Sequence, residues 1–200
     1  NSCRYHISQI SSANSVDIIR ERKNKVNFTC GVSINNLSLN ENDIGDFKTF
    51  LKLSPPLRTE TDRNALVQGL NDETIDVIVS DHKPEDEENK RLTFAQAETG
   101  ASGIETLLPL SLELYHNGSV ELETIIKALT SKPAEILKIN KGNLSTGNDA
   151  DFCIVDINKP WVVRKEKLIS KSKNTPIEDK KLQGKVISTF VNGEELFKSE

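Results

Sequence analysis

The stretch Asp76-Val77-Ile78-Val79-Ser80-Asp81-His82-Lys83-Pro84 decides the fold. Val77, Ile78 and Val79 are β-branched and uninterrupted, the pattern of a strand buried on both faces in a parallel sheet. The run stops at an acid and an imidazole, and Lys83-Pro84 ends regular pairing. An Asp just past the C-terminal end of such a strand stands where α/β barrels build their active sites. A carboxylate there can hold a metal ion, move a proton, or do both. An Asp before a polar loop can also simply cap a turn, so both readings stand at this point.

Upstream, residues 4–10 read as a strand ending in polar residues. Ser11 or Ser12 can cap a helix with Val16, Ile18 and Ile19 on its apolar face and basic residues at its end. Val26 to Val32 reads as a second strand, which gives strand–helix–strand in about thirty residues, the size of a βα repeat. Residues 33–56 read as irregular, and Thr59 to Leu70 as an amphipathic helix with Leu66, Val67 and Leu70 inward. After the Asp81 strand, 82–100 reads as a polar loop. Ile104–Tyr115, Leu122–Leu129 and Pro133–Leu137 follow as helices, with Pro133 harmless in a first turn. This alternation predicts a parallel α/β sheet or barrel over 1–142. From 143 the texture changes: Asp151–Asp156 and Lys185–Val191 read as strands, and Asn192-Gly193 as a hairpin turn, so 143–200 are expected to belong to a small β domain.

The 200 residues carry a net charge of −4, which argues against a nucleic-acid footprint. No apolar run reaches membrane-spanning length, and Asn1-Ser2-Cys3-Arg4 lacks the layout of a signal peptide. Cys3, Cys30 and Cys153 are odd in number and widely spaced, as expected of reduced thiols in a cytoplasmic protein. Three βα units cannot close a barrel, which needs about eight strands. The chain, which contains no Met, is therefore expected to be part of a longer protein and to have its missing N-terminal half as a partner.

Among candidate site residues, His6 reads either as a zinc ligand at a strand end or as a histidine satisfied by one hydrogen bond. Ser54-Pro55-Pro56-Leu57-Arg58 is a stiff turn. Gly100-Ala101-Ser102-Gly103 could present N–H groups to an anion, with ordinary loop flexibility as the simpler reading. His116 reads as a charge at a helix C-terminus, and Trp161 as packing.

Leu53-Ser54-Pro55-Pro56-Leu57-Arg58, Thr74 to Pro84, Gly103-Ile104-Glu105-Thr106, Asp149-Ala150-Asp151-Phe152 and Ser172-Lys173-Asn174-Thr175-Pro176 occur in the order and approximate spacing of dihydroorotases. The chain resembles the C-terminal half of a class I dihydroorotase of the amidohydrolase superfamily. The resemblance implies strands six to eight of a (β/α)8 barrel, followed by the C-terminal strands of a small β-sandwich domain. It implies interconversion of N-carbamoyl-L-aspartate and dihydroorotate in pyrimidine biosynthesis. Zinc would be held by His6, Asp81 and ligands upstream of residue 1, and Asp81 would shuttle the proton of a zinc-activated hydroxide. Ser54, Glu85 and Gly100 fall at substrate-binding positions. Ser54 replaces the family's usual Asn, Glu85 a usual His, and Asn35-Asn36 a usual histidine pair; Glu98-Thr99-Gly100 stands for Pro-Phe-Gly. These departures keep two alternatives open. One is a non-catalytic homologue that serves as a structural partner of aspartate carbamoyltransferase; the other is a hydantoinase- or allantoinase-type cyclic amidase. The expected partners are a small-molecule substrate and a second copy or the transcarbamoylase, without nucleic acid or membrane.

Overall fold

The structure, a computed structural model, describes residues 3–199. Asn1 and Ser2, half of the Asn1–Arg4 stretch that lacks a signal-peptide layout, lie outside the described residues. Two three-stranded sheets organise the rest. The first is parallel, in the order β1 (Tyr5–Ile10), β2 (Phe28–Ser33), β3 (Val77–Val79).

Helix α1 (Ala13–Arg22) follows β1, and the Ser12 hydroxyl accepts from the Ser15 N–H at 3.2 Å. Val16 and Ile19 are buried, but Ile18, expected beside them, is 53% exposed. The helical period explains this: two residues beyond Val16 is the far side of the helix, three is the same side. Val26 does not begin β2, because its N–H still closes a turn onto Arg22 O at 3.1 Å. After β2, the stretch expected to be irregular contains α2 (Ile34–Ser38) and two short 3₁₀ turns, Glu41–Ile44 and Thr49–Leu51.

Helix α3 (Glu60–Asn71) is capped by Thr59 and buries Leu66, Val67 and Leu70. It packs on α1 through Gly69, where an added Cβ would meet Val16 Cγ1 and Ile75 Cδ1, each at 3.1 Å. The loop after β3 also holds a helix, α4 (Glu87–Lys90), capped by the Asp86 carboxylate. Helix α5 (Leu107–His116) starts three residues later than expected, and Ile104 is 60% exposed. Helices α6 (Leu122–Leu129) and α7 (Ser131–Leu137) follow, with Pro133 in the first turn of α7.

The second sheet is antiparallel: β4 (Phe152–Val162), β5 (Lys181–Val191), β6 (Glu194–Lys198). Asn192 and Gly193 have φ of 52° and 81°, the two left-handed residues of a tight hairpin. This sheet lies on α5. Gly184, at φ 104°, leaves room for the buried Leu112, which an added Cβ would overlap. Around that contact Trp161 Nε1 donates to Gly184 O at 3.1 Å, Lys180 pairs with Glu113 at 2.8 Å, and His116 Nε2 meets Ile157 O at 3.0 Å. Trp161 and His116 thus join the two layers.

Among the described residues β1 and β3 each keep one edge without a strand partner, and Tyr5 on β1 is 65% exposed. Open apolar edges recruit other strands. Expressed by itself, this chain is expected to elute above monomer size; a monomer with a cooperative thermal transition at micromolar concentration would contradict this. In the full-length protein, Gly184→Ala should lower stability by about 2 kcal/mol or more, through strain at positive φ and overlap with Leu112. The measurement is the urea midpoint at unchanged slope.

Candidate active site

The register of the parallel sheet fixes which side chains can meet. His6 pairs with Thr29, Val32 with Ile78 and Ser33 with Val79. At about 3.3 Å per residue, the level of His6 lies about 13 Å below that of Ser33. Asp81 follows two residues after Val79, beyond the C-terminal end of β3.

The structure therefore does not bring His6 and Asp81 together. His6 lies near the start of β1, exchanges a 2.8 Å hydrogen bond with the Thr29 hydroxyl, and lines a recess with Asn27, Asp76, Lys132 and Glu135. Its pairing with Asp81 around a metal is corrected by this placement. A histidine satisfied by one hydrogen bond, the simpler sequence reading, describes what is seen.

The residues that do meet Asp81 come from the C-terminal ends of the other two strands. Gln9 Nε2 donates to Asp81 Oδ1 at 2.9 Å, and Ser33 Oγ donates to Oδ2 at 3.2 Å. Asp81 is half-buried in left-handed backbone, φ 49°, a conformation that Asp tolerates better than most residues. Burial pushes its carboxyl above the usual carboxylate range, against the opposing hydrogen bonds of Gln9 and Ser33 and the charge of Lys83. Sequence reasoning missed Gln9 and Ser33. The strand-end rule that selected Asp81 also selects both, because Ser33 is the last residue of β2 and Gln9 the next to last of β1.

His82 is not a spare ligand. Its Nδ1 accepts from the N–H groups of Gly103 at 3.2 Å and Ile104 at 3.4 Å. The Gly100–Gly103 segment packs backbone to backbone on 80–83: a Cβ on Gly103 would overlap Ser80 O, and one on Gly100 would stand 2.6 Å from Lys83 O. The N–H groups of Gly100, Ser102 and Gly103 are spent on internal acceptors. Gly100 donates to Lys52 O and Ser102 to Asn174 O, so the anion-cradle reading is not supported.

Ser54 is exposed and precedes a cis Ser54–Pro55 bond. The turn it opens lies over the strand ends, because Asn36 Nδ2 donates to Pro56 O and Arg58 Nε to Ser11 Oγ. Glu85 pairs with Lys83 at 3.3 Å, which offsets its negative charge. Its loop is tied to the antiparallel layer: Ser172 Oγ donates to Glu85 O at 2.6 Å, and Asn174 Nδ2 to Gly100 O at 3.2 Å. Three ammonium groups hold the same loop through backbone carbonyls. Lys52 reaches Ala95 and Ala97, Lys83 reaches Thr99, and the buried Lys90 reaches Thr49 and Glu98.

The thiols take no part. Cys30 is fully buried, with its pKa pushed up to about 11 by burial and the nearby Asp76, and Cys3 and Cys153 are free and exposed.

This geometry can be set beside known proteins. The model of the amidohydrolase family matches residues 3–196. The chain belongs to the amidohydrolase family. It is 44% identical over 190 residues to the dihydroorotase of Ehrlichia canis (strain Jake), covering 94% of this chain and 42% of that protein. It is 41% identical over 197 residues to the dihydroorotase of Anaplasma phagocytophilum (strain HZ), 98% of this chain and 44% of that protein. The chain thus spans under half the length of these curated relatives. Among solved structures, it superposes on an L-hydantoinase from Arthrobacter aurescens with a TM-score of 0.93 at 26% identity, covering 98% of this chain and 45% of the other. It superposes on a dihydropyrimidinase from Brevibacillus agri NCHU1002 with a TM-score of 0.90 at 23% identity, again 98% and 45%. These likenesses make the parallel layer part of a barrel-type α/β fold.

Members of the family are generally metal-dependent. The groups at Asp81 are one carboxylate, one amide and one hydroxyl, whereas zinc takes imidazole, thiolate and carboxylate. Among the described residues no group of three His, Cys, Asp or Glu side chains is placed to hold a metal ion. The residues present do not fit zinc at Asp81.

Burial depresses Lys90 to about 8. Between about pH 8 and the unfolded value near 10.5, the folded state sheds this proton first, so stability gains with rising pH. Relative to Lys90→Met, the full-length protein should gain on the order of 1–3 kcal/mol from about pH 7 to about pH 10, measured by urea unfolding. A pH-independent difference would show that Lys90 titrates normally.

Proposed function

We propose that this chain forms strands six to eight of the barrel of a cyclic amidohydrolase of the dihydroorotase kind, with residues 143–200 completing a small β domain. The observation that carries this reading is Asp81, half-buried at a parallel strand end and held by two donors from neighbouring strand ends. In the hydrolytic direction a water oxygen attacks the ring amide carbonyl of dihydroorotate. Asp81 takes the proton from that water, the C–N bond breaks, and the proton passes to the leaving nitrogen, giving N-carbamoyl-L-aspartate. A carboxyl raised by burial suits a group that must both accept and return a proton. Ser54, Gly100 and Glu85, with its Lys83 partner, are the substrate-facing positions of this reading; Lys83 supplies a cation beside the acid.

Asp81→Asn in the full-length protein keeps the shape and removes the base. It should lower kcat by a factor of about 100 or more, with the fold intact by circular dichroism. Unchanged turnover of dihydroorotate would remove Asp81 from the mechanism. Hydantoin and allantoin, offered in the same assay, separate the related cyclic amidases, the hydantoinase- and allantoinase-type alternative.

A second reading is favoured by the amides. Gln9 faces Asp81, and Asn35 and Asn36 are buried with side-chain atoms that lack partners. On this reading the protein is a non-catalytic homologue that supports aspartate carbamoyltransferase. It requires no turnover of any of the three substrates, together with co-elution of the full-length protein and the transcarbamoylase.

A further inference from the structure

We propose that Gln9 fixes Asp81 as a hydrogen-bonded carboxylate and not a metal ligand, so that the protein holds no divalent cation at Asp81. Gln9 stands on the strand from which a metal-binding histidine was expected, and at the correct end of it. Its neighbour across the sheet end is Asp81, at 2.9 Å. A carboxylate accepts and cannot donate, so the amide must present its N–H₂ and turn its oxygen away. The lone pair of an amide nitrogen is delocalised into its carbonyl, so the neutral N–H₂ is not a metal ligand. To ligate through its oxygen, Gln9 would have to turn over and abandon the hydrogen bond. The second carboxylate oxygen accepts from the Ser33 hydroxyl, which brings no metal-binding group of the kind zinc prefers. The nearby imidazole, His82, is committed through Nδ1 to the turn that starts the 103–107 segment. His6 is at the other end of the sheet.

A hydrogen-bonded carboxylate differs from a metal-bound one in what it can do. Gln9 and Ser33 orient it and stabilise its charge without a metal ion. The centre thus becomes a proton-transfer or anchoring group. Histidine at position 9 would place an imidazole on the same strand end with Asp81 as its companion, which are two of the ligand types zinc accepts.

The experiment is metal content, which is read independently of turnover. Full-length wild type, Asp81→Asn, Gln9→His and the Gln9→His/Asp81→Asn double variant are purified from zinc-supplemented medium and analysed by plasma mass spectrometry. Wild type and Asp81→Asn are expected to carry the same zinc-to-protein ratio. Gln9→His is expected to gain up to one equivalent, and the double variant to lose it. Zinc in wild type that falls at least tenfold in Asp81→Asn would overturn the proposal. A folded Gln9→His that gains no zinc would overturn the role given to Gln9. If Gln9→His does not fold, the comparison of wild type with the isosteric Asp81→Asn decides alone.

Discussion

The register of three parallel strands is the constraint on which the candidate site depends. Pairing Ser33 with Val79 and Tyr5 with Phe28 puts the last residues of β1 and β2 level with the exit from β3. Shifting β1 by one residue would turn Gln9 to the other face and remove a donor from Asp81. The buried residues around the sheet, Val16, Val32, Leu66 and Ile78 among them, pack in one core around that register. The glycines act on the same point from outside. Gly31 lets β1 pass close, because a Cβ there would stand 2.7 Å from Ser8 O, and Gly103 lets the 100–103 segment lie on Ser80. Asp81 is thus positioned by backbone contacts on both sides before its own side chain makes a bond.

A second dependence runs between the layers. Asn174 is almost fully buried, and its amide serves both the barrel loop, at Gly100, and its own segment, at Ser172. With Ser172 on Glu85 and Glu105 accepting from Ile169 and Ser170, the segment before β5 is stitched to the loop that follows Asp81. This accounts for the co-occurrence of Ser172–Pro176 with the Asp81 motif in the sequence: the two are one structure, separated by ninety residues of chain. The antiparallel layer therefore bears on the site through a loop and not through a catalytic side chain.

The legibility of these features in the sequence follows their physics. The β3 run, the Thr59-capped helix, the Leu-rich α5 and the Asn192-Gly193 hairpin each carry a strong local signal and form as expected. The short helices do not: five residues, Ile34 to Ser38, and four, Glu87 to Lys90, are too brief for a periodicity to show. The boundary errors at Val26 and Ile104 arise where a helix end or a side-chain acceptor, Arg22 O and His82, claims the N–H groups first. His6 shows a different limit. Arg4 to Ile10 is readable as a strand, but residue type drew attention to the imidazole while position was the deciding variable. Only the C-terminal end of a parallel strand faces the site, and there the residue is Gln9.

That contrast bears on how the family resemblance constrains the chemistry. Ser54–Arg58, Asp81–Pro84 and Ser172–Pro176 each have a packing role in this structure. Pro56 O accepts from Asn36, His82 nucleates the turn toward α5, and Asn174 spans the layers. Their presence accordingly speaks for the fold and the loops around Asp81. The reaction depends on a smaller set, the groups in contact with Asp81, and these are an amide and a hydroxyl. A hydroxyl and an amide can orient a carboxylate but cannot share a cation with it on zinc's terms. In this chain the features that build the loops around Asp81 and the groups that touch its carboxylate are therefore separable: the loops are tied together by hydrogen bonds of their own, while the group that β1 presents to Asp81 is a neutral amide. Family membership thus argues for what the site can hold, and Gln9 argues for how it would act on it.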